Sequence, residues 1–155
     1  MPELIESLKG QHAALKSMLL MAKQANSREE HVKLISAAKK KLAEHLALED
    51  ARLYPFLRQE AQHDPELKRM LDMFDDDMKA VGGAVETFFV NYEGGWDNDY
   101  EFLMDLAELT TRLAHRIEIE EKHLYPEYLA RKRNPGRKMK RGLLSRLAGL
   151  FRKRD

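Results

Sequence analysis

The sequence predicts an all-α fold, namely an up-down-up-down antiparallel four-helix bundle followed by a short basic amphipathic helix. Three observations predict it. Apolar residues recur every three or four positions over long stretches, which is the period of a helix. Proline and glycine cluster between these stretches, and no segment alternates polar and apolar residues as a strand would. Because short loops join the long helices, consecutive helices must be antiparallel neighbours.

The starts and ends of the four long helices carry recognisable signals. Ser27-Arg28-Glu29-Glu30 is a capping box that opens the second helix, because the serine can accept a hydrogen bond from the backbone three residues later. Asp64-Pro65 is an N-cap followed by proline, which opens the third helix. The segment 93–98 separates the third helix from the fourth, and Asn134-Pro135-Gly136 ends the fourth. These signals predict a bundle over residues 1–133.

The composition excludes several classes of protein. The chain has no cysteine, so disulfides, thiolate metal sites and thiol catalysis are excluded. The first residues lack the basic and apolar regions of a signal peptide, and no apolar run approaches the ~18 residues that span a bilayer. The expected location is therefore the cytoplasm. The net charge of +1 hides an asymmetry, because residues 131–155 carry 11 of the 27 Lys and Arg residues and a single acid.

Ionisable residues interrupt the apolar stripe of each long helix near its middle. An unpaired buried charge is costly, so each interruption needs a partner. His45 and Glu49 are four residues apart and point the same way, one turn apart, so their nitrogen and oxygen atoms can chelate a divalent cation. The interrupting residues are His12, His45, Glu49, Asp77 and Glu120, with His115 five residues before Glu120. Together they predict a metal site between the helices.

Each of these residues has another interpretation when it is taken alone. His12 could be a core histidine with an ordinary hydrogen-bond partner, and His45 with Glu49 could be a surface ion pair. Asp77 ends the acidic run Asp75-Asp76-Asp77, and such runs usually face solvent. The metal site is favoured because the interruptions lie at matching depths in all four helices.

An internal echo pairs two of the carboxylates. Residues 49–55 (Glu-Asp-Ala-Arg-Leu-Tyr-Pro) parallel residues 120–126 (Glu-Glu-Lys-His-Leu-Tyr-Pro) at an offset of 71. In each segment the carboxylate stands six residues before a proline that must kink or end its helix. Two equivalent carboxylates, Glu49 and Glu120, entering from diagonal helices suit the bridging ligands of a two-metal centre.

At these residues the sequence resembles the hemerythrin-like (HHE) family of four-helix non-haem iron proteins. The matching pattern is His12, His45-x-x-x-Glu49 and His115-x-x-x-x-Glu120, with Leu-Tyr-Pro after the second and third motifs. The resemblance implies a di-iron site with Glu49 and Glu120 bridging two iron ions and His12, His45 and His115 as terminal ligands. It also implies binding of oxygen, nitric oxide or peroxide at an open iron position.

Two features depart from that family's pattern. The third helix has no histidine between Asp64 and Tyr92, which leaves Asp77 as its inward polar candidate, with Asp76 or Met78 in its place if the register shifts. A carboxylate in place of imidazole makes the site harder and favours ferric iron, so reversible oxygen carriage is not expected. On a regular helix His115 lies about 140° from Glu120, and a π-bulge would bring the two closer.

The sequence leaves three functions open. The first is a non-haem, di-iron metal-binding protein that senses, stores or scavenges a small oxidant, or iron itself. The second is a di-iron oxidase or peroxidase, although no catalytic residue is assigned. The third is a metal-free or zinc-bound interaction module that acts through its basic tail.

The tail over residues 134–155 is basic and amphipathic. One face carries Leu143, Leu147, Leu150 and Phe151. This pattern suits an anionic membrane surface, which would make the protein peripheral to the membrane, or an acidic protein partner. The alternative is a helix packed on its own acidic bundle. No aromatic residues interleave with the basic ones, so specific nucleic-acid binding is not expected.

Overall fold

The computed structural model describes residues 2–152, whereas Met1 and the tail residues Lys153, Arg154 and Asp155 lie outside the described residues. This part of the chain is helical and contains no strand, which confirms the predicted all-α fold. The helices are α1 (Pro2–Gln24), α2 (Arg28–Leu48, Glu49–Leu53 and Tyr54–Ala61), α3 (Pro65–Tyr92), α4 (Asp99–Ile119, Glu120–Leu124 and Tyr125–Arg133) and α5 (Leu143–Arg152).

The first four helices pack in a ring. Helix α1 contacts α2 and α4, and α3 contacts the same two helices from the other side. Helices α2 and α4 therefore lie on one diagonal of the bundle and α1 and α3 on the other. This arrangement brings the two segments of the sequence echo, one in α2 and one in α4, to opposite corners of the same core.

The predicted capping residues begin their helices. The Ser27 hydroxyl accepts from the backbone N–H of Glu30 at 3.2 Å. The Asp64 carboxylate accepts from the N–H groups of Glu66 and Leu67 at 3.1 and 3.4 Å. Such caps satisfy backbone donors that have no partner within the helix.

Helices α2 and α4 each contain one π-helical turn at the same point of the echo. The N–H of Tyr54 donates to the carbonyl of Glu49, and the N–H of Tyr125 donates to that of Glu120. Proline follows each tyrosine, and a proline has no N–H for the bond four residues back and clashes with that carbonyl. A five-residue turn avoids this conflict, and such turns are frequent at functional sites.

The apolar core is divided into two clusters by a polar layer. One cluster includes Leu8, Leu53, Phe74 and Leu124, and the other includes Leu15, Leu42, Val81 and Ile117. In each long helix the boundary between the clusters falls where an ionisable residue interrupts the stripe. The buried residues of this layer are His12, His45, Glu49, Arg116 and Glu120.

Helix α5 packs its apolar face on the bundle. It contacts α3, Leu147 is fully buried, and the ring of Phe151 meets that of Phe74 edge to face at 5.1 Å. The tail in this conformation does not present these residues to a membrane, and contact with a membrane or an acidic partner stays a prediction. Within residues 2–152, no helix is long and apolar enough to cross a bilayer.

Truncating the buried leucine of α5 tests whether the tail is part of the core. We expect Leu147→Ala to lower the free energy of unfolding by about 2–5 kcal/mol, because it removes fully buried methyl groups. Arg146→Ala, at an exposed position of the same helix, should change it by less than about 0.5 kcal/mol. Urea unfolding followed by circular dichroism measures both. Equal, small effects would show that α5 does not contribute to the folded core.

Candidate metal centre

Three side chains from three different helices converge in the polar layer. His12 of α1, His45 of α2 and Glu120 of α4 are 2–3% exposed and could hold a metal ion together. His12 Nε2 lies 3.0 Å from His45 Nε2 and 2.9 Å from Glu120 Oε1. His45 Nε2 lies 3.6 Å from the same carboxylate oxygen. Each residue comes from the middle of its helix, so the site is held by rigid elements rather than loops.

The other ring nitrogens of the two histidines fix how the rings are protonated. His12 Nδ1 lies 2.7 Å from Glu121 Oε2, and His45 Nδ1 lies 2.9 Å from Gln11 Oε1. Both partners are acceptors, so each Nδ1 carries a hydrogen, and Nε2 is the ring nitrogen that can bind a metal ion in the centre. An outer acceptor behind each imidazole is the usual arrangement around metal-ligating histidine.

The spacing of the inner atoms fits one ion. Donor atoms bound at about 2.1 Å lie about 3.0 Å apart at a 90° angle and about 3.4 Å apart at a tetrahedral angle. The separations of 2.9, 3.0 and 3.6 Å among His12, His45 and Glu120 fall close to this range. Three atoms that bring lone pairs to one point repel one another unless a proton or a cation lies between them.

Glu49 and Tyr125 border the same point. Glu49 Oε2 lies 3.3 Å from His45 Nε2 and accepts the Tyr125 hydroxyl at 2.8 Å. The Tyr125 oxygen is also 3.2 Å from Glu120 Oε1 and 3.3 Å from His12 Nε2. Glu49 is 1% exposed, and its Oε1 has no hydrogen-bond partner among residues 2–152. A buried carboxylate oxygen without a donor is costly, and this one is available as a further metal ligand.

A small apolar cavity adjoins the centre. Its volume is about 20 Å³, and its lining includes His12, His45, Arg116 and Glu120. Helix α3 contributes Met78 and Val81 to the lining. A cavity needs roughly 10–15 Å³ to hold one water molecule, so this one has room for a molecule of about two heavy atoms.

A comparison with protein families agrees with this geometry. The family of the hemerythrin HHE cation binding domain matches residues 3–128, which is most of the chain. The chain belongs to the hemerythrin HHE family. No curated protein and no solved structure gives a match. Membership in this family makes a bound cation the expected occupant of the His12, His45 and Glu120 group, and the donor geometry of this HHE domain fits one.

The structure places Asp77, the predicted α3 ligand, outside that group. Its Oδ2 accepts from Nη1 of Arg116 at 2.9 Å. A buried aspartate needs a cation beside it, and the guanidinium of Arg116 meets that need without a metal. The other two residues of the acidic run, Asp75 and Asp76, are exposed. Asp77 as a metal ligand stays a prediction, and this ion pair does not support it.

The structure also places His115 apart from the three converging residues. It is half-buried on the regular α-helical part of α4. The π-turn of α4 begins at Glu120, after the interval that separates it from His115. The turn therefore brings Tyr125, rather than His115, to the face of Glu120. The π-turn follows His115 and leaves its interval to Glu120 regular, and His115 as a metal ligand stays a prediction.

Four residues of the centre were not singled out from the sequence. Gln11 and Glu121 are polar neighbours of ligands, and nothing in their spacing distinguishes them from surface residues. Tyr125 and Arg116 carry a signal, since the echo offset of 71 pairs Tyr54 with Tyr125 and, one turn before the paired glutamates, His45 with Arg116.

The charges of the layer shift the pKa values of its groups. Burial lowers the pKa of His45, but hydrogen bonds and charge attraction to Glu120 and Glu49 outweigh it and raise this pKa from 6.5 to about 9. Burial and repulsion from Glu120 raise the pKa of Glu49. Burial opposes ionisation of Glu120 as well, but the charge of Arg116 and bonds from the histidines lower its pKa. A proton on His45 Nε2 and a metal ion therefore compete for one lone pair.

The raised pKa of His45 predicts how the metal-free protein depends on pH. The ordinary pKa is 6.5 and the folded value about 9, so the stabilisation is complete below pH 6.5 and is lost as the pH rises through 9. At about 1.4 kcal/mol per unit, we expect a loss on the order of 3 kcal/mol. Urea unfolding of metal-stripped protein at pH 6.5 and pH 9.5 measures it. His45→Gln should lose much less, and equal losses would contradict the assignment.

Proposed function

We propose that this HHE protein holds non-haem iron on His12, His45 and Glu120. We propose further that it uses the iron to sense or scavenge a small oxidant (O₂, NO or a peroxide) or to store iron itself. The observation that carries the proposal is the convergence of two Nε2 lone pairs and one carboxylate oxygen within 3.6 Å of one another. Acceptors behind both imidazoles hold this arrangement in place.

The donor set favours iron. Two histidines and one carboxylate that leave coordination positions open are typical of non-haem ferrous sites. The same donors also suit zinc, which makes the identity of the metal part of the test. A second ion, which the paired carboxylates Glu49 and Glu120 led us to expect, would need protein donors beyond these three.

The surroundings of the site suit a small, weakly polar ligand. Bound iron would supply an open coordination position and a one-electron redox couple. The cavity bounded by Met78 and Val81 has room for a diatomic molecule or a peroxide and presents few polar groups to a larger substrate. The Tyr125 hydroxyl keeps its proton, since burial and two nearby carboxylates raise its pKa, and it can donate a hydrogen bond toward the centre.

Tyr125 also favours the enzyme alternative, an oxidase or peroxidase. Reduction of an oxidant consumes protons, and this hydroxyl lies within 3.3 Å of His12 Nε2 and within 3.2 Å of Glu120 Oε1. Turnover of peroxide with an added reductant would distinguish an enzyme from a sensor or store. The interaction-module alternative has less support, because the apolar face of α5 is already packed on the bundle.

Removal of one histidine ligand tests the metal site. We expect His12→Gln and His45→Gln, made with iron available, to lose most of their iron, because an amide is a far weaker ligand than imidazole. His63→Gln, at an exposed position near the end of α2, is the matched control and should keep the wild-type content. Elemental analysis of the purified proteins gives the metal and its amount. Predominantly zinc, or equal iron in all four proteins, would overturn the proposal.

The oxidant is tested on the iron-loaded protein. We expect addition of nitric oxide or peroxide to the anaerobic ferrous protein to change its optical spectrum within the time of mixing. His63→Gln should respond like the wild type and His45→Gln should not. If the protein binds iron but its optical spectrum does not change with any of these oxidants, the oxidant role is rejected. Storage of iron then remains as the proposed function.

A further inference from the structure

Arg116 stands where the echo places the counterpart of a histidine ligand. The offset of 71 that pairs Glu49 with Glu120 also pairs His45 with Arg116. Both pairs have the same spacing, four residues within one helix, and both are in contact. His45 Nε2 lies 3.3 Å from its glutamate, and Arg116 Nε donates to its own at 2.8 Å. One half of the pseudo-symmetric layer thus offers a metal ligand where the other offers a permanent cation.

The guanidinium of Arg116 is held from several sides. Its Nε donates to Glu120 Oε2 at 2.8 Å, its Nη1 to Asp77 Oδ2 and to the Phe74 carbonyl at 2.9 Å each, and its Nη2 to the Tyr54 hydroxyl at 3.2 Å. The group also lies over the Phe74 ring, 4.8 Å from its centre. Arg116 is 3% exposed, and the neighbouring carboxylate and tyrosine raise its pKa further despite burial.

We infer that the Arg116 guanidinium takes the place of a second cation, so that the centre of this HHE protein binds one metal ion and not two. The inference rests on the proposed metal site at His12, His45 and Glu120, and it replaces the expectation of two ions that came from the paired carboxylates. The fixed positive charge of the arginine would compensate the carboxylates as a second metal ion would, but it offers no coordination position to a ligand.

The first reason for a single metal ion is that the two oxygens of Glu120 face different partners. Oε1 faces His12 Nε2 at 2.9 Å, whereas Oε2 accepts from Arg116 at 2.8 Å. A carboxylate that bridges two ions gives one oxygen to each. Here the second oxygen accepts from a permanent cation, so a second metal ion at Oε2 would have to lie directly beside the guanidinium of Arg116.

The second reason for a single metal ion is the balance of charge in the polar layer. Glu49, Glu120 and Asp77 together bring three negative charges when ionised. Arg116 and one divalent ion bring three positive charges, so a single ion balances these three carboxylates, while Glu121 lies at the partly exposed edge of the layer. A second divalent ion next to the guanidinium would add two uncompensated charges, and like charges repel strongly in an interior of low dielectric constant.

The third reason is that Asp77 and Tyr54, which border Arg116, already accept hydrogen bonds from its guanidinium. His115, the histidine predicted for that side, precedes Arg116 by one residue on a regular α-helical segment and is therefore turned about 100° from it. Tyr54, the counterpart of Tyr125, accepts a hydrogen bond from the guanidinium. The acceptors on this side thus surround an arginine.

Metal stoichiometry of the full chain tests the inference. Metal-stripped protein is dialysed against Co²⁺ and the bound metal is measured per folded chain, with the same measurement on anaerobic Fe²⁺. We expect one ion per chain in the wild type. After oxidation, the iron-loaded protein should show the electron paramagnetic resonance signal of an isolated high-spin ferric ion, whereas a bridged ferric pair is magnetically coupled and silent.

Substitution of Arg116 tests its role. We expect Arg116→His to raise the stoichiometry from one ion toward two, because it removes the fixed charge and recreates the His-x-x-x-Glu pair of α2. Arg116→Lys, the matched control, keeps the charge and should remain at one. Far-ultraviolet circular dichroism checks that both variants are folded, and if Arg116→His is not, the wild-type stoichiometry and resonance signal still decide.

The outcomes separate this inference from the proposed function. Two ions in the wild type, or a coupled and silent ferric pair, would overturn the inference and leave the metal site standing. A folded Arg116→His variant that still binds a single ion would also overturn it, because the arginine would then not be what excludes the second ion. No bound metal in the wild type would overturn both.

Discussion

The buried carboxylate of Glu120 is the constraint on which the rest of the centre depends. It is 2% exposed, and one oxygen meets the guanidinium of Arg116 while the other meets the imidazole of His12. A charge so deeply buried is tolerated only when both oxygens have partners, which ties α4 to α1 directly and to α3 through Arg116 and Asp77. The two apolar clusters of the core meet at this layer, so the polar contacts fix how the two halves of the bundle align.

The two π-turns decide which side chains of α2 and α4 meet in the polar layer. Each turn relieves a conflict at a proline, and each brings a glutamate and the tyrosine five residues later to one face of its helix. Tyr125 thereby reaches both Glu49 and Glu120, while Tyr54 meets Arg116. A nearly symmetric backbone thus carries an asymmetric set of side chains, with metal donors on one side and a fixed cation on the other. The proposed binding of a single metal ion and the balance of buried charge both depend on that asymmetry.

Helix α5 packs as part of the folded core, although its basic residues alone would suggest a binding role. Its apolar residues Leu147 and Phe151 pack in the apolar cluster that includes Phe74. Arg131, at the end of α4, is fully buried and pairs with Asp64 and Glu127, and the backbone N–H of Met139 donates to Asp64 at 3.2 Å. The connection between α4 and α5 is therefore anchored at the start of α3. Insertion of the apolar face of α5 into a membrane would require these contacts to be released, whereas its basic residue Arg146 is exposed as the helix stands.

The sequence by itself determined the four-helix fold, the caps at Ser27 and Asp64, and the polar layer with His12, His45 and Glu120 in it. These features depend on local rules: helical period, capping chemistry and the cost of an unpaired buried charge act within one helix at a time. The tertiary structure alone decided which neighbour satisfies each charge. The sequence of α3 shows only that Asp77 points inward, and for that reason Asp77 was predicted to be a metal ligand. Its partner Arg116 lies 39 residues further along the chain, on another helix. The same holds for α5, whose apolar face is equally suited to a membrane and to its own bundle until the packing on α3 is known.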